Sequence, residues 1–223
     1  MNLVYIMSHN TFRKIVAVVG SAAIISIAIY GNYLPLKKSK TYLVAVRAAD
    51  ELAAEALQAK DIKKVEEALN MAALPLLIPS PIGQDELVRN VVGDHFLGFI
   101  SAGLPPEPLI KFTERFYTPI IERGRSLNFS QDLYVLGLLM ETVFVKTGNP
   151  EYLEAAEAYF EKGHEVGPRR PQFLYRLFEV NVNQRDYAQA KKFGEEILSY
   201  WPDKSVESAL RAITKNQQPT SND

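Results

Sequence analysis

Cysteine is absent from this chain of 223 residues. Disulfides, thiol catalysis and cysteine zinc sites go with it, while the redox compartment stays open, since a cysteine-free chain is stable on either side of a membrane. Histidine is scarce. His9, His95 and His164 lie far apart, and none is followed at i+3 or i+4 by a second metal-ligating side chain. A surplus of either charge is also missing: 25 Lys and Arg face 26 Asp and Glu, for a net charge of −1. That balance argues against nucleic acid, a partner that wants a clustered basic face. There is no P-loop, no G-x-S-x-G and no G-x-G-x-x-G. Carboxylates are plentiful, but Glu66–Glu67 and Glu195–Glu196 are adjacent on helices. Adjacent side chains point about 100° apart, which makes solvated faces and not acid–base dyads. The expectation is a chain that is not an enzyme, with no catalytic residue, metal or cofactor. Strand signals are missing as well: no window alternates, and Asn-Gly and Asp-Gly turns do not occur.

What is present is apolar material, 47% of residues, enough for a core in one or two domains. Much of it is concentrated near the start. Ile15 to Tyr30 reads IVAVVGSAAIISIAIY without a charge, and Gly31 to Leu34 extend the run to Pro35. Twenty helical residues span about 30 Å, the thickness of a hydrocarbon core. Arg13 and Lys14 precede the run, Lys37, Lys38 and Lys40 follow it, and Tyr30 and Tyr33 suit an interfacial belt. A single membrane-spanning helix over 15–34 is expected. The other readings are a cleaved signal peptide, with Ser26 and Ala28 as a small-x-small site, and a buried soluble helix. Ala17, Ser21 and Ala28 lie near one face, which either admits another helix or merely tolerates small residues. The flanking cations lean toward a cytoplasmic C-terminal part without deciding the side.

Beyond Lys40 the apolar period is 3.6. Thr41 to Lys60 carries Leu43, Val46, Ala53 and Leu57; Ile62, Val65, Leu69, Ala72 and Leu76 stripe the next helix, with Asp61 as its N-cap. Together these form a helical linker, 41–78, closed by Pro75, Pro79 and Pro81. A helix resumes from Gln84 to Ala102, and Leu109, Phe112, Phe116 and Ile120 stripe another, kinked near Pro119. From Ser130 the helices come in pairs: about 130–147, 150–166, 171–184, 186–200 and 203–216. The first 14 residues are an N-terminal segment, and 217–223 form a polar tail expected to fray.

A 34-residue period runs through the paired region. Pro168 and Pro202 share it, and it sets Ala156 on Ala190, Leu153 on Tyr187 and Tyr159 on Phe193. Thirty-four is the tetratricopeptide period, in which small residues stand where two helices cross and proline stands where the second must stop. The Leu136-Gly137 pair and the Asp186-Tyr187 turn fit the same pattern. In the second unit the expected aromatic is displaced, with Gly194 in its place and Phe193 beside it. The alternative is an unrelated array of helical hairpins. Either way, an all-α solenoid is expected over 82–216, and its upstream helices must supply a third layer as degenerate repeats.

The stretch GNPEYLEAAEAYFEKGHEVGPRRPQFLYRLFEVNVNQRDYAQAKKFGEEILSYWPD resembles the tail of bacterial O-antigen ligase or polymerase-family membrane proteins, and Pro168-Arg169-Arg170-Pro171-Gln172 matches the link between repeats in that group. IGQDELVRNVV, from Ile82, resembles the start of the helix preceding those repeats. The likeness covers nearly the whole chain, from the span to Asp203. It implies a last transmembrane helix followed by tetratricopeptide repeats, a bacterial inner (cytoplasmic) membrane, a place among surface-glycan assembly proteins, and a multi-span glycan-assembly protein as partner. The ligases carry their catalytic residues in a large loop between earlier spans. This chain has no such loop, so no catalytic residue carries over.

What remains is a surface. In such an array the first helix of each pair lines a concave groove. Repeat position places Gln131, Tyr134, Gln172, Tyr175, Glu179 and Asn183 there, for a protein or peptide partner, with Tyr134 and Tyr175 equivalent. The two tyrosines could equally cap the inter-repeat core with wet hydroxyls. Arg169 and Arg170 are read as helix-end partners, His95 as partly buried and His164 as a surface or interface residue. Two rival roles stand beside partner binding: the detached, non-catalytic tail of a split glycan ligase, and a structural scaffold or homo-oligomer joined through the span.

Overall fold

The computed structural model describes residues 9–125 and 128–217. Every element among them is helical, and none is a strand. Helix α1 (His9–Ala28) passes through a π-helical turn, Ile29–Tyr33, into α2 (Leu34–Ala59). The expected span ends at Leu34 and the expected next helix starts at Thr41; the backbone runs through the interval as continuous helix. In the widened turn the Leu34 N–H donates to the Ile29 carbonyl. That turn stands directly ahead of Pro35, whose ring would otherwise press on the carbonyl of Gly31. Among the described residues, one helix is long and apolar enough to cross a membrane. Its apolar window has mean hydropathy 2.0 and is 0% buried, so it packs into no core of this chain. Ala17, Ser21 and Ala28 are exposed with the rest of it.

Helix α3 (Ile62–Ala73) folds back along α2. Asp61 caps it as expected, its side chain accepting from the Lys63 N–H at 2.9 Å. The buried stripe of α2 overlaps the expected one at Ala53, with Val46 and Leu57 packed partly buried beside it, but is otherwise made of alanines. Ala45, Ala49, Ala53 and Ala56 face α3, which answers with Val65, Ala68, Ala72 and Ala73. Leu43 and Ile62 stay 62% and 50% exposed. Alanines let two helix axes approach closely, and a stripe weighted toward large side chains catches only some of them, here Ala53 and Ala72.

Lys38 also departs from expectation. It was counted with the cations flanking the span, yet it is 2% exposed. Its ammonium donates to the Ile78 carbonyl at 3.1 Å and to the Gln84 side chain. Desolvation lowers its pKa, against the pull of Asp85. The loop between α3 and α4 is therefore pinned at its middle and at its far end to the foot of α2.

Helix α4 (Gln84–Asn90), a second π turn (Val91–Phe96) and α5 (Leu97–Ala102) form one continuous helical stretch, followed by α6 (Pro106–Arg123), which runs through Pro119. Then come α7 (Phe129–Thr147), α8 (Pro150–Val166), α9 (Pro171–Gln184), α10 (Tyr187–Tyr200) and α11 (Lys204–Gln217), within a residue of the expected spans. Each packs on the next from α7 to α11. The frayed tail expected from 217 falls outside the described residues after Gln217.

Glycine makes the closest crossings. A Cβ on Gly137 would lie 2.2 Å from the Phe160 ring, and one on Gly163 would lie 2.0 Å from the Phe173 ring. One on Gly194 would meet Leu210 at 2.9 Å and Phe178 at 3.0 Å. The displaced aromatic of the second pair thus has a reason: Gly194 receives side chains from both flanking helices. Ala156 and Ala190, 34 residues apart, are each 0% exposed. A single hydrophobic core runs from Ala49 to Ile213.

Candidate functional site

Helices α7 and α9 each carry a stripe at helical spacing, and the α7 stripe with the first residue of the α9 stripe lines a groove. On α7, Gln131, Tyr134, Val135 and Leu138 recur at three and four residues. On α9, Gln172, Arg176, Glu179 and Asn183 do the same. The groove encloses about 370 Å³ and is lined by Gln131, Tyr134, Val135 and Leu138 of α7, Gln172 of α9, and the Arg89–Leu97 stretch. From that stretch come Arg89, Asp94 and Leu97. Its floor is apolar (Leu97, Val135, Leu138) and its rim carries amides and charges.

Three of the six expected groove residues, Gln131, Tyr134 and Gln172, are brought together here. Tyr134 stands over two rings, Phe160 at 6.0 Å and Phe173 at 5.8 Å edge-on. Against desolvation, its hydroxyl, near the Arg176 guanidinium, helps to hold that group's pKa up. Tyr175 lies further along and donates its hydroxyl to Asp203 at 2.7 Å. Both tyrosines therefore reach helices further along the stack, Tyr134 the Phe173 ring of α9 and Tyr175 the Asp203 cap of α11. Glu179 accepts from Arg176 at 2.8 Å, and Asn183 is exposed near the end of α9.

Two arginines were missed by sequence reasoning. Arg89 pairs with Asp132 at 3.2 Å and with Glu86 at 3.4 Å. Asp132 is 0% exposed in the first turn of α7, where the helix dipole favours a carboxylate. The pair ties α4 to α7 at the groove wall. Arg176 pairs with Glu141, at 3.4 Å, and with Glu179. Burial raises the Glu141 pKa, while Arg176 pulls it down. Arg176 follows Gln172 by four residues, so the stripe itself could have revealed it. Arg89 sits about forty residues away in sequence and carries no such signal.

The remaining singled-out groups have structural partners. His95 bonds Asp50 on α2 at 2.9 Å, and His164 meets the Phe193 ring edge-on and Glu196 at 3.8 Å. Arg170 donates to Ser130 on α7, and Arg169 lies over the Tyr200 ring at 5.8 Å. Asp203 caps α11 through the Ser205 and Val206 amides. Hydrogen bonds from Ser205 and Tyr175 hold its pKa down at about 2. A second cavity, about 250 Å³ between α6 and α7, is lined by Tyr117, whose buried hydroxyl has no hydrogen-bond partner. Burial raises its pKa and keeps it neutral. Among the described residues no three His, Asp or Glu come together as metal ligands.

The chain is all-α, with one N-terminal helix fit to span a membrane and a stack of packed helices behind it. In comparisons with known proteins, no family model, no curated protein and no solved structure matches it significantly.

Proposed function

We propose that the chain is a membrane-anchored, tetratricopeptide-like protein that binds an extended peptide segment of a protein partner in the groove between α7, α9 and the Arg89–Leu97 stretch. One observation carries this: an apolar floor rimmed by convergent amides and charges, all mounted on rigid helices. An apolar side chain of the partner rests on Leu97, Val135 and Leu138, while Gln131 and Gln172 bond its backbone. Helical mounting removes the ordering cost that a loop would add, and the anchor raises the local concentration of a membrane-bound partner. The likeness of Gly148–Asp203 to the O-antigen ligase tails supports a partner in surface-glycan assembly.

The test is site-specific photocrosslinking of the full chain in its own membranes. A photoreactive residue at Gln131 or Gln172 is expected to give one discrete hetero-adduct, absent from Gln189, which is exposed on α10. Self-adducts alone would refute groove binding and leave the scaffold role. An adduct with a multi-span glycan ligase that has no repeats of its own would make this chain that enzyme's detached tail.

A further inference from the structure

The loop between α3 and α4, LPLLIPSPIG from Leu74 to Gly83, carries no charge. It nonetheless holds three of the more exposed large apolar side chains outside α1: Leu74 at 46%, Leu77 at 58% and Ile82 at 62%. Such a segment needs a reason, because an exposed apolar patch beside a polar surface marks something that covers it. The loop's height above the membrane follows from its bonds. Lys38 holds the Ile78 carbonyl and the Gln84 side chain, and it stands four residues past Leu34 on the same helix as the span. At 1.5 Å per residue this is about 6 Å. The interfacial layer of a bilayer is about 5–8 Å deep on each side of the hydrocarbon. A loop fixed at the level of Lys38 is therefore inside that layer. Lys37 and Lys40 are exposed beside it, as an anionic headgroup region favours.

We infer that the Leu74–Gly83 loop is a second membrane contact, resting Leu77 and Ile82 among the lipid headgroups and upper acyl chains beside the spanning helix. The inference rests on the reading of 15–34 as a span, and its occupant is the lipid surface itself. Two points of contact fix both the tilt and the rotation of the domain, where one span fixes neither.

The absence of cysteine makes the test direct, because any introduced thiol is the only one. The full chain, in vesicles of phosphatidylethanolamine and phosphatidylglycerol, is labelled with an environment-sensitive fluorophore at Leu77→Cys or Ile82→Cys. Ile25→Cys in the span is the inside control. Val145→Cys, 78% exposed, is the outside control. It adjoins Lys146, which shares contact with the Gly103 position with Leu57, about 35 Å along α2 from Leu34. Leu77 and Ile82 labels are expected to emit blue-shifted light and to be quenched several-fold by lipids carrying a nitroxide high on the acyl chain. The Val145 label should report water. If Leu77 and Ile82 also report water while Ile25 is quenched, the loop contact is refuted and the span survives. If Ile25 reports water too, the span reading falls and the inference with it. All four substitutions are at exposed positions, and unchanged helical circular dichroism verifies the fold.

Discussion

Gly163 and Gly98 are both helical glycines, yet the structure assigns opposite signs to their replacement by alanine. In an open helix position the change gains about 1 kcal/mol of propensity. Nothing lies within 4 Å of a Cβ on Gly98, so Gly98→Ala should keep that gain. A Cβ on Gly163 would lie 2.0, 2.4 and 2.6 Å from three atoms of the Phe173 ring. Phe173 is 0% exposed and braced by Tyr134, so its ring has nowhere to swing and must shift by more than about 1 Å together with α9. Overpacking of this kind costs about 1–3 kcal/mol, and a forced helix shift sits at the upper end. After the propensity gain, a net loss of about 2 kcal/mol is expected, which lowers Tm by about 4–8 °C for a chain of this size. The assay is thermal unfolding of the full chain in mild detergent, followed by circular dichroism. Adding Phe173→Leu to Gly163→Ala should recover at least about 1 kcal/mol, a coupling expected only of residues in contact. A Gly163→Ala protein as stable as Gly98→Ala, or a strictly additive double variant, would refute the close crossing of α8 and α9.

Removing Arg176 leaves Glu141 half-buried without its counter-charge. Arg176→Ala should cost about 1–2 kcal/mol, and the loss should grow with pH. The Glu141 pKa is raised in the fold, so the folded state binds the proton more tightly and stability falls as pH climbs above 4.5; urea titrations at several pH values check this. Asp203 works in the opposite sense. Its contribution is present above 3.8 and lost as pH falls through about 2. Tyr175→Phe should move that loss to higher pH, visible as an upward shift of the Asp203 carboxyl pKa by carbon-detected NMR. Lys38→Ala strips the donor from the Ile78 carbonyl and Gln84 and should cost about 2–4 kcal/mol. Because its pKa is lowered, the wild type should gain stability relative to Lys38→Met as pH rises toward 10.5, measured by the same unfolding assay.

Sequence punctuation made the last five helices legible. Asn149-Pro150, Pro171, Asp186 and Pro202-Asp203 start or stop helices by local chemistry, through caps and missing amide donors, and no distant contact is needed to place them. The α1–α2 join was not legible, because Pro35 is a breaker in an α-helix and only a preceding π turn makes it tolerable. The alanine face of α2 was legible only at Ala53, for a different reason: hydrophobic stripes are weighted toward large side chains, whereas close packing selects small ones. The groove was half legible. Gln131, Tyr134 and Gln172 follow from repeat position, but Arg89, Asp94 and Leu97 come from a helix whose period is interrupted at Val91–Phe96. Pairs such as His95 with Asp50, 45 residues apart, depend on which helices meet, and spacing along the chain does not encode that.

The unbroken passage from α1 into α2 has a mechanical consequence. Thr11 to Ala59 is one helical rod of 49 residues, about 74 Å long. A flexible tether would let the domain sample a hemisphere of orientations; a rod transmits torque. Any change that tips the span, such as a thicker bilayer or a neighbouring helix, swings the far end of α2 as a lever some 35 Å long. The direction in which the groove faces is then set by forces acting inside the lipid.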